Sequence, residues 1–174
     1  MGLLDVFTGQ YPSGDWAPNP SLTVAYDFDQ HTLCGVRVGL PLDRFRHFGP
    51  AEDKSRARKG ILCYYSRGFW VESKDEGAST QFVLGFSPTW GGLVDATART
   101  FTGPMRYRGA EVKLGPETTD MNLMTQFGPP ASTEPRGKSG VIVINYAIRD
   151  VTYEFEFSAK KILQSVAVSA EPES

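Results

Sequence analysis

Hydrophobic and polar positions alternate most regularly at residues 151–157, where Val151, Tyr153, Phe155 and Phe157 are interleaved with Thr152, Glu154 and Glu156. Successive side chains of a strand point to opposite faces, so this run predicts a strand with one buried and one wet face. Comparable apolar runs at 61–66, 69–73, 80–86, 141–146 and 162–168 predict further strands. Turns at Ser66-Arg67-Gly68 and Arg149-Asp150 join neighbours as antiparallel hairpins. Ahead of them Leu22, Val24, Tyr26 and Phe28 alternate with Thr23, Ala25 and Asp27, which predicts one more strand before a turn at 29–31.

Two segments have helical spacing instead. At 117–127, Met121, Leu123, Met124 and Phe127 fall near one stripe, Thr118, Asp120, Asn122 and Gln126 lie mostly outside it, and Pro116 and Glu117 suit a first turn. A shorter segment, 41–48, ends the same way: Phe48-Gly49-Pro50 in one case, Phe127-Gly128-Pro129 in the other. Glycine takes the left-handed position after a helix and proline cannot continue one, so both segments stop there. In each half a glycine precedes the helix (Gly39, Gly115), and a polar loop and another glycine (Gly60, Gly140) lead into strands. The recurrence predicts an internal duplication. The expected fold is α+β, two tandem helix plus antiparallel β-sheet units at 1–87 and 109–170. A connecting segment at 88–108 carries Trp90-Gly91-Gly92, a loop at 11–20 is pinned by Trp16, and 171–174 form a mobile tail.

A glycine before a helix, a Gly-Pro turn after it, a loop and an antiparallel sheet, at 33–86 and again at 109–168, together resemble the SmpA/OmlA (BamE-like) domain. Two such units in tandem are similar to the β-lactamase inhibitor protein fold. The resemblance implies paired sheets forming a concave binding surface, a bacterial source and a tendency to bind proteins. It carries no functional residue across, because the matching positions are structural Gly, Pro and aromatic residues.

Bulk properties narrow the setting. With 40% hydrophobic and 22% charged residues, the 174-residue chain has the make-up of a globular protein. A net charge of -2 offers no overall basic field for nucleic acid, which is not expected as a partner. No run approaches the roughly 20 apolar residues that span a bilayer. Residues 1–10 lack the regions of an export signal, and Val6 stands where myristoylation of Gly2 wants Ser or Thr. A cytoplasmic protein with no membrane partner is therefore expected. Cys34 and Cys63 are too few and too widely spaced for a disulfide framework or a zinc knuckle, and should be reduced and mostly buried.

Chemistry is sparse. The sequence has no HExxH, nucleotide-binding or Gly-x-Ser-x-Gly motif, so no catalytic residue, metal or cofactor is expected. His31, in a turn, and His47, on the first helix, have the ordinary reading of surface or helix-end side chains. An unrecognised enzyme would use Asp27, His31 and Cys34 around one turn. Glu154 and Glu156 share a strand face and could hold a cation or share a proton, although a solvated face requires neither. The loop with Lys54, Arg56, Arg58 and Lys59 is a weak anion-binding candidate, matched by Arg136 and Lys138 in the second half.

Exposed aromatics point to a partner. If Ile61, Cys63 and Tyr65 face the helix, Leu62 and Tyr64 face away from it, joined by Trp70 and Glu72. Tyr64, Trp70, Glu72, Glu154 and Glu156 then form a candidate protein-binding face anchored by Trp70, since aromatics dominate interaction hot spots. The competing reading buries these rings as core beneath Trp16 or Trp90. A non-catalytic protein-binding module of inhibitor or immunity type is the leading expectation. The alternatives are a small-molecule or lipid carrier with a pocket between sheet and helices, and the enzyme named above.

Overall fold

The computed structural model describes residues 13–74, 79–90, 98–137 and 139–170. The readings placed on 1–10, Gly91-Gly92, Lys138 and the tail lie outside the described residues. Three short strands come first: β1 (Tyr26–Asp27), β2 (Thr32–Leu33) and β3 (Val36–Arg37). A 3-10 helix, Leu42–Phe48, and a single helical turn, α1 (Lys54–Ala57), lead to β4 (Ile61–Tyr64), β5 (Phe69–Lys74) and β6 (Ser79–Gly85). Next are β7 (Met105–Tyr107), β8 (Ala110–Val112) and α2 (Asp120–Phe127). The chain then runs through β9 (Ser132–Arg136), β10 (Val141–Ile148), β11 (Val151–Phe157) and β12 (Leu163–Ala170).

These strands make two sheets, one five-stranded in the order β3-β2-β1-β7-β8 and one seven-stranded in the order β4-β5-β6-β12-β11-β10-β9. The fold is therefore mostly β, and the α+β reading and the resemblance to tandem SmpA/OmlA or β-lactamase inhibitor units are both corrected. The strands expected of two separate units belong to one sheet, joined where β6 pairs with β12 through Val166↔Leu84 and Val168↔Phe82. A second sheet, built from strands of two and three residues, lies against it.

The second helix is shorter than its sequence pattern for a local reason. At 117–127 the helix starts at Asp120, because Thr119 forms a capping box with Asn122: the Thr119 hydroxyl accepts from the Asn122 amide and the Asn122 side chain accepts from the Thr119 amide. Only two turns remain, so Leu123 and Phe127, four residues apart, are buried while Met121 and Met124 are exposed. At 41–48 the helix is 3-10, burying Leu42, Phe45 and Phe48 at its three-residue repeat. Gly49 and Gly128 end the two helices in nearly the same conformation, φ 81 and ψ -174 against φ 85 and ψ -165.

The main core lies between the inner face of the seven-stranded sheet and the helices and small sheet. Phe45 packs on Phe82 at 5.5 Å, Phe48 on Phe69 at 5.5 Å, Phe28 on Tyr153 at 5.3 Å and Phe127 on Phe155 at 5.6 Å. The outer face is covered at one end. There Trp90 stacks on Trp70, 4.8 Å between centroids, and rests on Gly85, where a Cβ would come within 2.0 Å of the indole. With both faces covered there, 61–65, 69–71 and 82–84 read as continuous apolar runs rather than alternating ones. Among the described residues no helix is long and apolar enough to cross a membrane.

Candidate functional site

The face expected to bind a partner does not assemble as one. Opposed residues of antiparallel strands share a face, and the register is Cys63↔Trp70 and Tyr64↔Phe69. Tyr64 therefore points into the main core, where it meets Phe48 at 5.6 Å and its hydroxyl donates to the Gly49 carbonyl at 2.9 Å. Trp70 points outward with Ile61, Cys63 and Glu72 but is covered by Trp90, donates its indole N–H to Glu72 at 3.2 Å and carries the Arg56 guanidinium 5.8 Å from its ring. Glu154 and Glu156, further along the same face, are each 2.8 Å from the Arg136 guanidinium on edge strand β9. The basic loop also divides. Arg56 packs on Trp70 and pairs with the N-cap Asp53, while Lys54, Arg58 and Lys59 are exposed.

Asp27, His31 and Cys34 turn to separate partners. Asp27 Oδ1 accepts from the Asp29 and Gln30 amides at 2.8 and 3.0 Å and closes the β1–β2 turn. The Cys34 thiol is directed at the Thr23 carbonyl, and burial pushes its pKa up. His31 is not at the surface: it is 1% exposed, and its Nδ1 lies 2.6 Å from the Tyr153 hydroxyl, which meets the Tyr26 hydroxyl at 3.1 Å. This buried polar chain links β1 and the β1–β2 turn to β11. Burial of all three rings raises both tyrosine pKa values and lowers that of His31.

The lowered His31 pKa makes stability depend on pH. Burial is the largest cause, Arg37 and Arg149 add to it, and Asp150 and Asp27 oppose it. Unfolded histidine titrates near about 6.5. Below that pH the unfolded chain binds a proton that the folded chain binds less readily, so stability present above it is lost as pH falls through the folded pKa. The urea midpoint should drop between about pH 7.5 and about pH 5. His31→Asn, which suits the left-handed backbone at φ 56, should flatten that part of the profile. Equal slopes in the two proteins would assign the pH dependence to other groups.

A half-open cleft of about 480 Å³ forms where three turns meet. Its floor is aromatic, with Phe127 at 5.0 Å from Phe28, 5.1 Å from Tyr107 and 5.6 Å from Tyr146. Pro129 and Ala131, after α2, form one wall, and Ala147 and Ile148 of β10 form another. Asp29, Arg108 and Arg149 complete the lining. The two arginines stand at hairpin tips: Tyr107↔Ala110 leaves Arg108-Gly109 as a two-residue loop, and Ile148↔Val151 leaves Arg149-Asp150. Both have left-handed backbones, φ 52 and φ 57. Glycine, asparagine or aspartate is favoured there, and another residue costs roughly 1–2 kcal/mol.

Asp29 ties the tips together. Its carboxylate accepts from the Gly109 amide at 3.4 Å and its carbonyl from Arg149 Nη1 at 3.1 Å. On the far side Arg37 Nη2 donates to both oxygens of Asp150, at 2.9 and 2.6 Å, and holds that carboxyl below the usual carboxylate range. The Arg108 guanidinium lies 5.0 Å from the Tyr107 ring. Among the described residues neither Arg108 nor Arg149 has a carboxylate within 4.0 Å, whereas Arg37, Arg46, Arg56 and Arg136 each do. The arrangement can bind and orient a flat polar group. Sequence patterning missed Arg108 and Arg149 as site residues. The available signal was an arginine at each tip where Asn-Gly is usual.

The chain matches no protein-family model and no curated protein. Among solved structures it is similar to a DUF4309 family protein (YjgB) from Bacillus subtilis subsp. subtilis str. 168, with 12% identity and a TM-score of 0.52, over 79% of this chain and 83% of that one. At that identity the likeness shows the fold alone. It stands in place of the SmpA/OmlA resemblance, whose short Gly, Pro and aromatic motifs recur here in a chain that is mainly β.

Proposed function

We propose that this chain is a non-catalytic binding protein that holds a small ligand in the cleft between α2, the end of β10 and the β7–β8 turn. The observation that carries the reading is the cleft itself. Its volume of about 480 Å³ falls within the ~300–1,000 Å³ of small-molecule sites, and its aromatic floor and fixed polar groups are what such sites use. Because Asp29 and Arg37 already hold both hairpin tips, little ordering remains to be done on binding. The outer sheet face offers a partner less. Trp70, its expected anchor, is stacked under Trp90, and Glu154 and Glu156 are already paired with Arg136.

The test is amide-shift mapping by NMR with a set of small aromatic and aliphatic compounds, charged and neutral. Members of the set should shift the amides of residues 107–109 and 146–149. Ala131→Trp, in the exposed wall and on the same face as Tyr146, should abolish those shifts with the circular dichroism unchanged. Shifts confined to other surfaces, or indifferent to that substitution, would remove the cleft as the site.

A further inference from the structure

Resting on that reading, we propose that the occupant of the cleft carries an oxyanion, a carboxylate or a phosphate, on a flat apolar body, with Arg108 and Arg149 as its recognition residues. The first support is charge. Both guanidiniums line the cleft without a carboxylate within 4.0 Å among the described residues, and the single carboxylate in the lining, on Asp29, accepts from the Gly109 amide. The lining therefore has a net positive charge, one that a bidentate oxyanion would balance.

The second support is placement. Each arginine stands at the left-handed position of a tight hairpin, where a shorter residue would relieve strain, and strain of this kind persists where a side chain is needed. Two tips from different sheets share the feature and open on the same cleft. The third support is the floor. The Tyr107 ring lies beneath the Arg108 guanidinium and next to Phe127, so an apolar body attached to the anion has an aromatic surface beside the charge that holds it.

The experiment titrates phenylacetate, phenylphosphate, phenylacetamide and benzylamine against the intact chain, read by the same amides at 107–109 and 146–149. Phenylacetate or phenylphosphate should bind at least about tenfold more tightly than the neutral amide, and benzylamine more weakly than either anion. Whichever of the two anions is tighter identifies the oxyanion. Arg108→Gln and Arg149→Gln, which remove the charge and keep an unbranched polar side chain, should each weaken the anion about tenfold while moving phenylacetamide less than about twofold. Arg108→Lys should restore part of the loss. Added salt should weaken the anions and leave the amide nearly unchanged. An amide that binds as tightly as the anions would overturn the anion preference and leave the cleft a binding site. Equal losses of anion and amide in the Gln variants would reduce the arginines to shaping the cleft and also overturn the proposal. No response at these residues from any of the four probes would sink both readings.

Discussion

Phe127→Ala should cost about 3 to 5 kcal/mol, the loss typical of emptying a buried phenylalanine site. The ring is 8% exposed and touches four others, Phe28, Tyr107, Tyr146 and Phe155, at 5.0 to 5.6 Å, so the neighbours cannot collapse into the space without breaking their own contacts. With a urea dependence of about 2 kcal/mol per molar, the midpoint should fall by roughly 2 M. Met121→Ala, on the exposed side of the same helix, should stay within about 0.5 kcal/mol. Comparable losses in the two variants would mean that α2 packs by a face other than the one seen. Because Phe127 is also the cleft floor, its removal should disturb ligand-induced shifts at Tyr107 and Tyr146 even where the protein remains folded.

Which parts of this fold could be read from the chain follows from what each strand packs against. The bounds of β11 were legible to the residue, since Val151, Tyr153, Phe155 and Phe157 bury one face and Thr152, Glu154 and Glu156 meet solvent on the other. On β4 the same rule failed in parity. Ile61 to Tyr65 is apolar throughout because Trp90 covers the outer face, and period 2 states that neighbours alternate without stating which one points inward. β9 left no pattern at all. Its residues, Ser132–Arg136, are polar, it pairs on one side with β10 through the backbone, and Pro135 is tolerated because the strand is an edge. Of the five-stranded sheet only β1 was legible, inside the alternating run 22–28; the other strands, of two or three residues, are too short to carry a period.

The cleft and the buried histidine were hidden by sequence distance. Asp29, Arg108 and Arg149 come together only when the two sheets close, and nothing in the local pattern around any one of them points to the other two. His31 sits in a polar turn that suggested the surface, yet Tyr153 lies on the inward side of the best-patterned strand, and a buried tyrosine hydroxyl needs a partner. That requirement was readable from alternation alone. The identity of the partner was not.

Gly68→Ala should be destabilising by about 2 to 5 kcal/mol, through two effects that add. The residue follows the 3-10 turn Tyr65–Arg67 at φ 77 and ψ 28, where a Cβ costs roughly 1–2 kcal/mol. The new methyl would also stand 2.2 Å from the Phe101 nitrogen and 2.4 Å from the Thr100 carbonyl carbon, both backbone atoms that no side-chain rotation can move aside. That segment is held in place by the Arg99 amide donating to the Tyr65 carbonyl at 2.8 Å and the Phe101 amide donating to the Gly85 carbonyl at 2.6 Å, and the Arg99 carbonyl accepts the Trp90 indole N–H at 3.1 Å. Pushing it outward breaks the cover over the Trp70–Trp90 stack, which overpacking estimates put at a further 1–3 kcal/mol or so. Gly137→Ala separates the two effects. Its φ of 66 is also left-handed but, chain neighbours aside, no atom of the described residues lies within 4 Å of the added Cβ, so it should lose only about 1 kcal/mol. Tryptophan emission should move to longer wavelength in Gly68→Ala and stay fixed in Gly137→Ala. Equal losses in the two variants, with unchanged emission, would show that the 98–101 segment does not bear on Gly68 and that backbone conformation alone sets the cost.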